Sequence, residues 1–298
     1  MTLVLSIKKS VRDETINELT KFPVHYLIIS LLYEPKEYPL VLVNEGVVVV
    51  HHEDEKIMDK VKEEWKDSTI FSLEDLKSEN YFVLVSLSVF NSWTPILKKM
   101  DLRNISRNVY SEAGIEVYPA YHNVFRIFQV LPLEKVKVVF IFQDPYKHRH
   151  ACGIAVSSHE PKLPPTLETL IKVLVKEGFK HNEKKKEPGN LISWVNQGVF
   201  LFNVSLTVGK GEGRSHYAHW EALIRDVCLE LNKNKNLVVC LFGNKAKELK
   251  VYLKNTDILL FSHPSPLSQA NFDNVVIYSD INKKLKQKKV SEINWDLD

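Results

Sequence analysis

The feature that most constrains the fold is a set of four short apolar runs in the second two-thirds of the chain. Continuous apolar runs of this length are typical of strands that are covered on both faces. Segments with helical spacing lie between them, and strands alternating with helices predict βαβ units. We therefore expect an α/β fold with a central four-stranded parallel sheet flanked by helices. The four predicted strands are VKVVFIF (136–142), GVFLFN (198–203), LVVCLFG (237–243) and ILLFSH (258–263).

Two of the intervening segments, PTLETLIKVLVKEG (165–178) and HWEALIRDVCLEL (219–231), predict amphipathic helices. Thr166 is the expected N-cap of the first. The residues expected to face the core are Leu167, Leu170, Ile171 and Leu174 in the first helix, and Trp220, Leu223, Ile224 and Val227 in the second.

The first 88 residues predict a separate small α+β domain, with the boundary at 88/89. Strand-like β-branched runs fold back at Asn44-Glu45-Gly46 as a hairpin. Helices are expected at 12–22 and 55–67, and a strand at 81–90. Nothing in this domain carries recognisable chemistry, so its role stays open, with a surface for a protein partner as one possibility.

Composition excludes several classes of protein. With 44% hydrophobic and 26% charged residues the chain has the composition of a globular protein. No stretch approaches the ~18 apolar residues of a membrane helix, and the charges of MTLVLSIKK follow its apolar residues, unlike those of a signal peptide. Cys152, Cys228 and Cys240 lack metal-ligand spacing and are expected to be buried, reduced thiols. We therefore expect no metal site, no cofactor and an intracellular protein that is not secreted.

The charges are divided unevenly along the chain. Residues 1–91 hold 10 Lys/Arg against 16 Asp/Glu, and the remainder holds 30 against 21. A basic part joined to an acidic part indicates that only the basic part meets a polyanion. Two ordinary solvated surfaces would look the same, so charge alone leaves both interpretations open.

The residues that follow the four predicted strands indicate a single site. Parallel sheets bind ligands beyond the carboxyl ends of their strands. That edge receives Gln143-Asp144-Pro145-Tyr146, Asn203, Gly243-Asn244, and His263 with the loop after it. It lacks a carboxylate pair, a nucleophile elbow and a phosphate-binding GxxxxGK[ST] loop. One carboxylate with imidazole and amide donors suits bond cleavage through a cation-like sugar.

These segments resemble the motifs of family 1 uracil-DNA glycosylases. The likeness rests on QDPY after the first strand, QGVFLFN, and HPSPLS after the fourth. It runs in order from about Trp93 to the end of the chain and includes VYPAYHNVFRIF, LPPTL and SLTVGKGEGRSH. Several motifs in order at the family's spacing are far more specific than any one of them.

The resemblance implies a role for each matching residue. Asp144 orients water and stabilises the cation-like sugar, and His263 hydrogen-bonds uracil O2 as charge builds on the leaving base. Asn203 pairs with uracil N3–H and O4, and Tyr146 stands against C5 and rejects thymine. Gln143 belongs to the same uracil-binding set.

The resemblance also implies a DNA-binding surface. Leu267 is the expected wedge that enters the duplex when the nucleotide is flipped out. Short polar loops are expected to let backbone N–H groups reach phosphates. The DNA-binding residues so implied are Lys147, Pro164, Pro165, Thr166, Gly243, Asn244, Ser265 and Leu267.

Three residues depart from the family pattern. Phe142 and Lys147 stand where the motif has Gly and His, so a bulky ring needs room at the strand end. Val156 falls where a phenylalanine stacks on uracil, and losing a stack worth about 1–3 kcal/mol predicts an enzyme that works but is weaker by ~10- to 100-fold. The loop 147–153 is also one residue shorter than usual.

The implied function is a monomeric, monofunctional glycosylase that acts on uracil in single- or double-stranded DNA. It would work in a DNA-containing compartment, nucleus or cytoplasm. An alternative is a glycosylase-like DNA-binding scaffold or replication-partner subunit with little activity, motivated by Phe142, Val156 and the acidic first domain. A relaxed glycosylase for other damaged bases fits less well, because Tyr146 and Asn203 encode selectivity for uracil.

Overall fold

The computed structural model describes residues 91–111, 115–211 and 215–297. Within the first 90 residues it describes four short strands together with Phe82, Ser86 and Val89. The chain divides into two compact units, one made of Met1–Phe90 with Leu102–Arg107 and the other of Asn91–Asp101 with Asn108–Asp298.

The first unit contains a four-stranded sheet in the order β1-β2-β3-β4. Strands β1/β2 and β2/β3 are antiparallel, whereas β3/β4 is parallel. Asn44 pairs with Val47, which confirms the predicted hairpin. The strands are β1 (Leu27–Ile28), β2 (Leu42–Asn44), β3 (Val47–Val49) and β4 (Thr69–Phe71).

Other predictions for the first unit have different outcomes. The helices expected at 12–22 and 55–67 lie outside the described residues. The strand expected at 81–90 is wrong, because Phe82 and Ser86 are helical. A short apolar run of this kind fits either a strand or a buried helix, and periodicity alone does not separate the two.

The second unit is built on the predicted parallel sheet, in the order β10-β9-β6-β7. All five residues of β6, β7 and β9 are buried, as expected for strands covered on both faces. Strand β10 lies at the edge and is only half-buried. The strands are β6 (Val138–Phe142), β7 (Val199–Asn203), β9 (Val238–Phe242) and β10 (Asp257–Phe261).

Helices flank this sheet. Every side chain predicted to face the core from 165–178 and 219–231 is buried, and each such side chain contributes about 1.5–3 kcal/mol on burial. Thr166 is not an N-cap: the cap is Pro164, and Thr166 is the second residue of the helix. The helices of this unit are α1 (Thr94–Leu97), α3 (Arg126–Val130), α4 (Pro165–Lys176), α5 (Ile192–Val195), α6 (Tyr217–Leu231), α7 (Asn244–Glu248) and α8 (Tyr278–Gln287). Helix α2 (Leu102–Val109) belongs mostly to the first unit.

Smaller elements complete the second unit. Strands β5 (Val117–Tyr118) and β8 (Val208–Gly209) form an antiparallel pair. Four 3₁₀ helices span Tyr121–Asn123, Leu133–Lys135, Leu249–Tyr252 and Pro266–Phe272. None of the helices in the described ranges is long and apolar enough to cross a membrane. The three cysteines are free and buried, as predicted.

Candidate active site

A pocket opens beyond the carboxyl ends of β6 and β7. The two strands pair in register up to Phe142 and Asn203, and the Ser205 amide then donates to the Gln143 carbonyl at 3.0 Å. This pairing brings the loop after β6 against the end of β7. The pocket is lined by Pro119, Val124, Ile127, Pro145, Tyr146, Ala151, Cys152, Gly153, Ile154, Ala155, Val156, Phe202, Asn203 and Leu206.

Asn203 presents an amide that the described residues leave unsatisfied. Its side chain lines the pocket and is only 8% exposed. The Oδ1 atom has no hydrogen-bond partner among the described residues. Leaving a buried acceptor unpaired costs about 1–3 kcal/mol, so the amide suits a ligand with a matching donor.

Tyr146 and Val156 form the facing wall of the pocket. The Tyr146 hydroxyl donates to the Val156 carbonyl oxygen at 2.9 Å, which fixes the ring. Burial raises the pKa of the Tyr146 phenol well above its usual value, so the phenol stays protonated and keeps donating. Val156 has φ +54°, a backbone conformation that a β-branched residue rarely adopts.

The carboxylate of Asp144 is hydrogen-bonded at both oxygens. The Gln143 Nε2 group donates to Oδ2 at 3.0 Å, and the Ser215 hydroxyl donates to Oδ1 at 2.5 Å. Two donors from different segments hold the plane of the carboxylate. Asp144 itself is partly exposed.

His263 lies two residues beyond β10 and next to Gly243, the residue that follows β9. A Cβ built on Gly243 would stand 3.1 Å from the His263 Cβ. Burial lowers the pKa of the His263 imidazole, and the nearby Asp144 carboxylate raises it by less. The imidazole is therefore neutral at pH 7. Neither His263 nor Asp144 is among the described residues that line the pocket.

The predicted DNA-binding residues lie on loops at helix starts. Pro164 and Pro165 begin α4, Asn244 begins α7, and Ser265 caps the 3₁₀ helix that contains Leu267. Their roles stay predictions, as do those of the exposed Lys147 and of Thr166 and Gly243.

A polar chain supports the pocket wall from behind. The Arg126 guanidinium donates to the Cys152 carbonyl at 3.4 Å and lies 3.0 Å from His159 Nε2. Since arginine only donates, Nε2 accepts, and the His159 Nδ1–H donates to the Glu187 carboxylate at 2.7 Å. The backbone of the wall is thus anchored to α3 and to the loop before α5.

Comparison with known proteins agrees with this geometry. The family model of the uracil DNA glycosylase superfamily matches residues 128–294, more than half of the chain. The chain belongs to this superfamily. The family resemblance inferred from the motifs is therefore confirmed, as is the fold expected for the second unit.

Known relatives of this chain match most of the region that the family model covers. A uracil-DNA glycosylase of Latilactobacillus sakei subsp. sakei is 36% identical over 224 residues, which cover 70% of this chain and 95% of the relative. That of Mycoplasmopsis pulmonis is 36% identical over 188 residues, covering 61% and 84%. The crystal structure of mimivirus uracil-DNA glycosylase superposes with a TM-score of 0.64 at 27% identity, covering 71% of this chain and 89% of that one.

The Phe142 ring is accommodated within the parallel sheet. It is buried and stacks on Phe242 of the neighbouring strand, with ring centroids 4.5 Å apart and planes at 10°. Phe242 in turn stacks on Phe261 at 5.0 Å. The bulky residue in place of glycine therefore adds to the core.

Several residues at the site were not predicted from the motifs, among them Ser215, Cys152 and Leu206. Ser215 holds Asp144, while Cys152 and Leu206 line the pocket. Ser215 and Leu206 both lie in the segment 205–216, whose family likeness was a signal for their position. No comparable signal marks Cys152, since its place depends on how the loop after β6 folds back.

Proposed function

We propose that this chain hydrolyses the N-glycosidic bond of deoxyuridine in DNA, releasing uracil and leaving an abasic site. The observation that carries the proposal is the buried Asn203 amide, whose Oδ1 lacks a partner among the described residues in a pocket walled by Tyr146 and Val156. Uracil N3–H supplies the missing donor. Membership of the uracil DNA glycosylase superfamily supports the same conclusion.

Base selection in this proposal follows from the pocket walls. Asn203 accepts from N3–H and donates to O4, whereas cytosine offers the opposite pattern of donor and acceptor. Tyr146 stands against C5, and its ring is held by the bond to the Val156 carbonyl. A thymine methyl group would meet that ring. Gln143 completes the proposed uracil-binding set, and its side chain hydrogen-bonds Asp144.

The proposed chemistry divides between Asp144 and His263. As the C1′–N1 bond breaks, its electron pair stays on the base and positive charge develops on the sugar. Asp144 stabilises that charge and orients the water whose oxygen bonds to C1′. The proton that this water loses passes through solvent to the departing uracil anion. His263 is neutral because burial lowers its pKa, so its N–H donates to uracil O2 without transferring a proton in advance.

The proposed DNA surface surrounds the pocket. Flipping is needed because the sugar–base bond is inaccessible in stacked DNA. Leu267 fills the gap, and the backbone amides of Thr166 in α4, of Asn244 at the start of α7 and of Ser265 donate to phosphates. Lys147 adds a cation from the exposed loop after Tyr146.

We also propose that the acidic residues 1–88 form a surface that binds a protein partner. The enzyme is otherwise monomeric and works in a DNA-containing compartment. Residues 89–298 act as the catalytic domain. A pull-down with the full chain and with a chain lacking residues 1–88, each checked for uracil release, tests this division. Equal capture of partners by both chains would contradict it.

The glycosylase proposal is tested by single-turnover uracil release from single- and double-stranded uracil DNA. We expect release by the native protein and a loss of at least ~100-fold in Asp144→Asn, in line with losses on removing groups that act in the transition state. Asp280→Asn, which alters an exposed carboxylate on α8, is the matched control. Native protein that binds uracil DNA without releasing base would favour the DNA-binding scaffold instead.

A further inference from the structure

The carboxylate of Asp144 is fixed from two sides. Gln143 Nε2 donates to Oδ2 from the adjacent position in the same loop, at 3.0 Å. Ser215 donates to Oδ1 at 2.5 Å from a segment 71 residues further along the chain. An aspartate side chain rotates broadly about its last torsion, so a single donor in the same loop would leave its plane weakly defined. The serine supplies the second, independent restraint.

Ser215 is itself held in place. Its backbone forms an antiparallel bridge with Val208 in β8. The next residue, His216, places Nδ1 2.9 Å from the Thr207 hydroxyl oxygen. That oxygen accepts a 2.8 Å hydrogen bond from Nε1 of Trp220, a buried residue of α6. The segment that carries Ser215 is therefore held by the bridge to Val208 and by the contacts of His216, although Ser215 itself is exposed.

We infer that Ser215 is a positioning residue for Asp144, holding the carboxylate in the plane that serves the attacking water. The inference rests on the proposed function. With Oδ1 bound to Ser215 and Oδ2 bound to Gln143, each oxygen of the carboxylate keeps a further lone pair that can accept from the attacking water. Misplacement of a reacting group by about 1 Å costs on the order of 100-fold in rate.

A double-mutant cycle tests this role. Ser215→Ala should lower the single-turnover rate of uracil release at saturating DNA on the order of 10- to 100-fold and leave DNA affinity nearly unchanged. In an Asp144→Ala background the same change should have no further effect, because no carboxylate remains to be oriented. Ser215→Thr keeps the hydroxyl and should restore most of the rate. Ser193→Ala, at an exposed serine in α5, is the control.

The outcomes separate this inference from the glycosylase proposal. Equal losses on both backgrounds would overturn it, since Ser215 would then act independently of Asp144. Weaker DNA binding with an unchanged rate would also overturn it, in favour of a phosphate contact. Absence of uracil release by the native protein would instead refute the proposed function. If the native protein releases uracil and the Asp144→Ala variant is slow, the proposed function is supported whatever result the Ser215 variants give.

Discussion

Val156 contributes its backbone to the pocket more than its side chain. Its φ of +54° places it in the left-handed region, which costs a residue with a Cβ roughly 1–2 kcal/mol. The conformation turns its carbonyl oxygen toward the Tyr146 hydroxyl, which donates to it. The side chain, 7% exposed, lines the pocket without offering an aromatic face.

We expect Val156→Phe to speed single-turnover uracil release about tenfold, because base–aromatic stacking contributes about 1–3 kcal/mol per base. Val156→Leu enlarges the side chain without adding a ring and should stay near the native rate. A phenylalanine variant slower than the native protein would show that the pocket is already complete without a stacking partner at this position.

His263 should titrate below its ordinary pKa of 6.5, because burial disfavours its cation. Asp144→Asn removes the carboxylate that raises this pKa, so the midpoint in an NMR titration of the imidazole should move lower still. Asp280→Asn should leave it in place. The unfolded chain takes up the proton at a higher pH than the folded one, so this histidine lowers stability as pH falls below about 6.5. A native midpoint above 6.5 would contradict the assignment.

Among the elements, the junction of β9 with α7 depends most on one residue. Gly243 has φ +86° and ψ 170°, a region open essentially to glycine alone. It also leaves room for His263, which a Cβ would approach to 3.1 Å. The junction thus joins the proposed phosphate-binding loop to the side chain of His263, which we propose is catalytic.

We expect Gly243→Ala to lower the free energy of unfolding by about 1–3 kcal/mol and to slow uracil release as well. Gly178→Ala is the matched control, because Gly178 has φ +92° and nothing within 4 Å of a built Cβ. It should lose stability in chemical denaturation without losing activity. If both variants kept the native rate at saturating DNA, the close approach of Gly243 to His263 would not matter for activity.

The sequence predicted the sheet well because burial on both faces leaves continuous apolar strands. For β6, β7 and β9 this condition holds throughout. It does not hold for β10, which is only partly buried although its run ILLF is continuously apolar. A position at the edge does not account for this, because β7 lies at the opposite edge and is fully buried. The order of the strands depends likewise on crossovers that local patterns do not encode.

The positions of Asp144, Asn203 and His263 were predictable because each lies at or just after the end of a strand, while their roles stay predictions. The site was not predictable where a contact joins distant segments through loop geometry. The bond from Tyr146 to the Val156 carbonyl and that from Ser215 to Asp144 are of this kind. The stacking of Phe142 on Phe242 depends on strand order, so it too required the three-dimensional arrangement.

At the scale of the whole molecule, the two parts of the chain have net charges of opposite sign. Residues 1–91 carry more acidic than basic groups. The remaining residues carry a larger excess of basic groups, so the net charge of the whole chain is +3. DNA binding depends on the summed field as well as on direct contacts, and salt screens that field over a Debye length of about 10 Å at 0.1 M. The acidic part should therefore weaken DNA binding most at low salt.

Neutralising the acidic triplet Glu53, Asp54 and Glu55 as Gln, Asn and Gln removes three negative charges from the full chain. We expect uracil DNA to bind several-fold more tightly in ~20 mM salt, with the gain fading by ~300 mM as screening shortens the reach of the field. Replacing Lys56, Lys60 and Lys62 by Gln changes the charge of the same segment in the opposite sense and should weaken binding at low salt. Fluorescence anisotropy across a salt series measures both.

If the two triple variants shifted affinity in the same direction, the effect would come from the structure of the segment and not from its charge. If neither shifted it, the field at the DNA would be set by the basic part of the chain alone.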